Sequence, residues 1–262
     1  MRAVLVAFAL AAGSLPGAAL AGAWTLDQGQ FLIMSGVTAS RATHNFDDAG
    51  RPSEKVLFRK LFAQTWMEYG LTDAVTLFVA PEYVIADTGA EGVGVARTHT
   101  ASVEGGARIL LLTRIGMLSI QGSVKTAGAF DMSVSAGKAS GRQFELRLLY
   151  GRSFRLFGSE GFFDVQAAKR WIKRPRSDEF VFDATMGLHL RRPTLLMLQT
   201  FNMMSSGEAL PPYRPYRLHK LELSVVERLT PKWSLQFGAF LSLAGQNIVQ
   251  EQGVVSAVWY RF

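Results

Sequence analysis

Along much of this chain apolar side chains fall at every second position, in runs of about ten residues. The clearest run is 142–152, where Phe144, Leu146, Leu148 and Tyr150 share one face and Glu145, Arg147, Leu149 and Gly151 share the other. Residues 117–125 set Leu118, Ile120, Gly122 and Val124 against Ser119, Gln121, Ser123 and Lys125. In 180–190 the apolar face is Phe180, Phe182, Ala184, Met186 and Leu188; in 234–243 it is Leu235, Phe237, Ala239, Leu241 and Leu243. Successive side chains of a strand point to opposite faces, so each run predicts a strand with one apolar and one polar face. About twelve such segments are present: 29–40, 58–70, 74–84, 98–112, 117–125, 142–152, 161–172, 179–190, 195–204, 217–229, 234–244 and 251–262. The ninth is poorly phased and is expected to carry a bulge.

The connections sort by length. The long ones are 41–57, 85–97, 126–141, 173–178, 205–216 and 245–250; the short ones that alternate with them are 71–74, 113–116, 153–160, 191–194 and 230–233. A soluble sandwich has no reason to sort its loops by parity, whereas a bacterial outer-membrane barrel has short turns at one end and longer loops at the other. The expectation is an all-β fold, an antiparallel transmembrane β-barrel of about twelve strands, with ten or fourteen as the fallback.

The first residues read differently. Arg2 is followed by a short apolar core, Ala3–Ala12, and then by Ala19-Leu20-Ala21, the small-x-small pattern of a signal-peptidase site, which places the cut before Gly22. About ten apolar residues cannot cross a hydrocarbon core of ~30 Å as a helix. The expected division is 1–21 as signal peptide and 22–262 as barrel, in the outer membrane of a Gram-negative bacterium. The 262 residues hold no Cys, which excludes a disulfide-stapled domain and a thiolate metal site. Phe262 ends the chain with Tyr260 and Val258 on the same face, and so resembles the C-terminal signature that the barrel-assembly machinery recognises.

Charge sharpens the picture. A Lys or Arg facing lipid at the midplane costs about 2–4 kcal/mol, so charges within strands belong on the inner face. Glu68, Glu82, Glu104, Arg108, Lys125, Glu145, Arg147, Asp164, Arg170, Asp183, His189 and Glu222 alternate with apolar neighbours and are the candidates to line a lumen. They can select solutes, or they can pair across strands and fill the interior; the presence of acids and bases on the same face favours compensation. Lys173, Arg174 and Arg176 fall in one outer loop, as solvated charges or as partners for lipopolysaccharide phosphates. The net charge of +7 could point to nucleic acid, but export and alternation argue against it. Tyr69, Tyr83, Tyr150, Trp233 and Tyr260 sit near strand ends, the positions of interfacial aromatic girdles.

The segment WMEYGLTDAVTLFVAPEY (66–83) resembles the YGLTD-type hairpin of a broad family of outer-membrane barrels associated with phenol-degradation pathways (MetA-type) and with transport. AWTLDQGQFLIMSG (23–36) is similar to the start of the first strand in many of those chains. The resemblance implies a barrel and small-solute transport.

Catalytic patterns are missing. None of the four histidines has Ser two residues on, no Asp-x-His motif occurs, and His-Glu-x-x-His is absent; these observations argue against an enzyme and call for no metal or other cofactor. The first functional reading is a passive channel or transporter for small solutes. The alternatives are a closed structural or surface-interaction barrel with a charge-paired lumen, and, through residues assembled across strands, a lipid-modifying enzyme.

Overall fold

The computed structural model describes residues 22–262 except 91–93, 130–140, 157, 192, 208 and 212. The expected signal peptide and most of the connection 126–141 lie outside the described residues. Every regular element among the described residues is a strand: β1 (Phe31–Phe46), β2 (Pro52–Thr72), β3 (Val75–Ala90), β4 (Ala96–Leu112), β5 (Met117–Lys125), β6 (Gln143–Leu156), β7 (Ser159–Ile172), β8 (Asp178–Arg191), β9 (Thr194–Ser206), β10 (Arg217–Arg228), β11 (Trp233–Gln246), β12 (Ile248–Val249) and β13 (Gln252–Arg261). Each long strand pairs antiparallel with its neighbours, and β1 pairs with both β2 and β13, from Leu32↔Arg261 to Arg41↔Gln252 on the second seam. The sheet is therefore a closed barrel of twelve long strands. The two-residue β12 only extends the end of β1, through Asn45↔Val249 and Phe46↔Ile248.

The outer wall is apolar where lipid is expected. Phe144, Leu146 and Leu148 are 46%, 43% and 50% exposed, while their inward neighbours Gln143, Glu145 and Leu149 are buried. Rings gather near both ends. Phe31 stacks on Phe262 at 5.0 Å and touches Tyr69 at 4.5 Å, and Trp233 meets Tyr260 at 4.4 Å, all at the end that carries the short turns. Phe144 and Trp171 meet at 5.3 Å toward the other end.

Two expectations are corrected. The connections 41–57 and 85–97 are largely strand: β1 and β2 are separated only by 47–51, and β3 and β4 only by 91–95. Above the apolar band both faces meet water, so the alternation fades while the backbone ladder continues. The bulge expected in the ninth strand is also absent. Pairing of β9 is regular through 195–204, and the shift lies at the turn, between His189 and Arg191 of the β8 pairing. The phasing looked poor because Leu195 and Met197 point inward, where they pack with Phe162 and Val226 against Trp24 and Trp259.

Residues 22–30 do not join the wall. They turn into the lumen at its turn end, where the Gly29 N–H donates to the Gly70 carbonyl at 2.8 Å and the Gly70 N–H to that of Gln30 at 3.0 Å. The Gln28 N–H donates to Asp73 (2.9 Å), the Leu26 N–H to Thr76 Oγ1 (2.8 Å), and Ser119 Oγ to the Ala23 carbonyl (2.5 Å). Ala23 and Leu26 are almost wholly buried. Gly70 makes this path possible, since a Cβ there would lie 2.0 Å from the Asp27 carbonyl oxygen.

Leu148 lies between the Phe144 and Tyr150 rings on the lipid face. Leu148→Arg is expected to lower folding stability in bilayers by about 2–4 kcal/mol, measured by denaturant titration, with Leu149→Ala as an inward control.

Candidate functional site

The candidate site is the lumen, and strand parity decides who enters it. On β2 the inward row is Phe58, Lys60, Phe62, Gln64, Trp66 and Glu68; on β6 it is Gln143, Glu145, Arg147 and Leu149. All twelve candidates from the alternation occupy inward rows. Most are assembled into three ion-pair groups.

Near the turn end Arg108 Nη2 contacts Glu68 at 2.8 Å, with both side chains about 5% exposed. The same guanidinium donates to Gln121 Oε1 (3.1 Å) and to the Trp24 carbonyl (2.9 Å), and Trp66 Nε1 donates to Glu68 at 2.9 Å. Farther along, Lys125 sits between Glu82 (3.0 Å) and Glu104 (3.4 Å), which also accept from Ser102 and Ser123. Across β6, β7 and β8, Arg147 reaches Glu145 (2.7 Å) and Asp183 (2.8 Å), and Arg170 reaches Glu145 and Glu179, each at 2.7 Å. Asp164 accepts from the Ala23 N–H and from Gln166. Glu222 is met by Gln236 Nε2 at 3.4 Å, and His189 stands half-buried near the β8–β9 turn.

The outer loop divides. Lys173 and Arg174 are exposed, but Arg176 is not: it is 8% exposed, turned inward, and donates to the Tyr216 hydroxyl at 2.7 Å and to Glu179 at 3.3 Å. Glu179 draws it off the surface, because a buried carboxylate is stabilised by a second guanidinium. Arg176 therefore belongs to the lumen rather than to a lipopolysaccharide-facing set.

A fourth group escaped the sequence reading. Glu251, wholly buried between β12 and β13, accepts from Lys60 at 2.6 Å, from Lys220 and from Ser40. Lys60 lies between Phe58 and Phe62 on a row that reads as apolar, and Glu251 is the first residue of the predicted strand 251–262, so neither stood out. The outward residues beside this group are Arg41, Arg59 and Gln252, which puts it above the apolar band. Burial alone would raise the Glu251 carboxyl, but Lys60 and Lys220 hold it down, at about 2.

Among the described residues, two cavities lie inside the barrel. One of about 380 Å³ lies toward the loop end among Lys60, Val84, Met203, Tyr216, Leu218 and Ile248. The other, about 500 Å³, lies among Trp66, Glu68, Arg108, Arg147, Val255 and Trp259 and reaches Gly22. Thr38, Phe62, Arg170 and Phe201 line both, so the two abut. Charges crowd the wall of β3–β8; Phe62, Phe201, Val255 and Trp259 make the opposite side apolar.

This architecture is that of the outer-membrane barrels. The chain is similar to the crystal structure of an outer membrane channel from Pseudomonas putida F1, with a TM-score of 0.71 and 12% identity over 92% of this chain and 98% of that one. It is also similar to the translocator domain of the autotransporter NalP from Neisseria meningitidis (TM-score 0.56, 12% identity, 90% of each chain). The NanC porin gives a TM-score of 0.56 at 8% identity, over 87% of this chain and 98% of that one. No family model and no curated protein matches the chain.

Glu68→Gln removes the carboxylate beside a buried guanidinium and is expected to cost about 3–5 kcal/mol of stability, much of it regained in Glu68→Gln/Arg108→Met; denaturant titration of the three barrels checks this. At the loop end the sign is set by a depressed carboxyl. Glu251 contributes stability above its unfolded value of 4.5, and that contribution is lost as pH falls through about 2. The stability gap between the native chain and Glu251→Gln should therefore close as the pH falls from 4.5 through about 2, followed by thermal unfolding in detergent.

Proposed function

We propose that this chain is a passive outer-membrane channel for small solutes. The observation that supports it is the pair of abutting cavities, about 380 and 500 Å³, which extend from the loop end to the N-terminal segment inside a closed barrel. The path is narrowed at the turn end by residues 22–30 and flanked by Arg147, Arg170, Glu145 and Asp183. A solute in transit meets a charged wall on one side and Phe62, Phe201 and Trp259 on the other. The folds of the P. putida channel and the NanC porin are in keeping with this reading. Membrane insertion through the strand ending in Phe262, contact of Lys173 and Arg174 with lipopolysaccharide phosphates, and the absence of a catalytic role belong to the same proposal.

A second reading is favoured by the pairing itself: every inward cation named above contacts a carboxylate, as in a lumen built to be filled. Planar bilayers separate the two. A channel gives discrete conductance steps, and Arg147→Gln, which leaves Glu145 and Asp183 less compensated, shifts its selectivity toward cations. Silent bilayers together with no uptake into protein-loaded liposomes would sink the channel and leave the closed barrel.

A further inference from the structure

Asp164 is an inward acid that joins none of the four ion-pair groups. It is 1% exposed, on β7, and accepts from two neutral donors, the Ala23 N–H at 2.8 Å and Gln166 Nε2 at 2.6 Å. Among the described residues no Lys, Arg or His lies within ion-pair distance of it. The nearby guanidiniums are engaged elsewhere, Arg108 with Glu68 and Arg147 with Glu145 and Asp183. A buried carboxylate held by neutral donors alone is unfavourable, so the site calls for a positive charge.

Gly22 stands against this carboxylate. A Cβ built on it would fall 2.0–2.2 Å from the Asp164 carboxylate atoms. Its Cα therefore touches the carboxyl group, and its nitrogen, one bond further, lies within about 5 Å of an oxygen. Residue 22 is also the one that the Ala19-Leu20-Ala21 pattern independently makes the first residue after cleavage. Before cleavage that nitrogen is a neutral amide. Afterwards it is an ammonium.

We propose that the mature chain begins at Gly22 and that its α-ammonium binds Asp164, forming an ion-pair latch that pins residues 22–30 across the turn end of the lumen. Removal of the leader thus creates the charge that completes the fold of the plug. The latch does not require that any solute pass the barrel.

The test uses the full chain, exported and extracted from outer membranes. Intact mass and N-terminal sequencing should give Gly22 as the first residue. A small N-hydroxysuccinimide ester at neutral pH, where α-amines react ahead of lysines, then reports access to that amine, with site occupancy read by peptide mass. In the folded barrel Gly22 should label at least about tenfold more slowly than in the SDS-unfolded chain, a protection that opening of the segment would remove. Asp164→Asn should bring the folded rate to within about threefold of the unfolded one. If that variant does not fold, Gly22→Ala, whose methyl group meets the carboxylate, takes its place with the same expected release. A different first residue, equal folded and unfolded rates in the native chain, or full protection in a folded Asp164→Asn barrel would each overturn the proposal.

Discussion

Inside a hydrocarbon layer no water is available to the backbone, and every N–H and C=O left unpaired there costs several kcal/mol. The seam between β1 and β13 answers that constraint, because it gives the first and last strands the partners that an open sheet would leave missing. Closure has geometric consequences. With an even number of antiparallel strands, Phe31 and Arg261 must end at the same rim, and the connections must alternate between the two rims. It also separates two environments that differ only by which way a side chain points. Leu148 faces lipid and Arg147, its neighbour, does not.

The inner environment has its own rule. Walls of protein and lipid lower the local dielectric, so a charge inside the barrel is stable only with a partner. Arg108 with Glu68, Lys125 with Glu82 and Glu104, and Arg170 with Glu145 and Glu179 follow that rule across neighbouring strands. These pairs also fix their side chains against one wall, which is why open space remains beside Phe62 and Phe201 instead of being filled from all sides. The N-terminal segment obeys the same logic. Its free backbone groups are satisfied by Asp73, Thr76, Ser119, Arg108 and Asp164, so the lumen accepts a non-strand peptide at little cost in unpaired polar groups.

Likeness to other barrels at 12% identity or less is intelligible in these terms. Membrane closure requires a face polarity at each position and little else, so Leu, Val, Phe and Met exchange freely on the outside. The groups around Arg147 and Glu251 are set by this chain's own inner rows.

The alternation and the parity of the connections were enough to determine the wall: twelve long strands, the inward rows and the side that faces lipid. These are local, period-two properties, and they survive without knowledge of which strand lies beside which. Phasing failed where that locality ended. Leu195 and Met197 are apolar on an inward row because Trp24 arrives from the chain's other end to cover them, and the fading pattern in 41–57 hid strand that continues into water. Which charge meets which, Arg176 turning in toward Glu179 and Tyr216, Glu251 gathering Lys60 and Lys220, and residues 22–30 lying inside rather than beside the barrel were decided by the tertiary structure alone. Those contacts join residues up to about two hundred positions apart, and only the closed cylinder brings them within reach of one another.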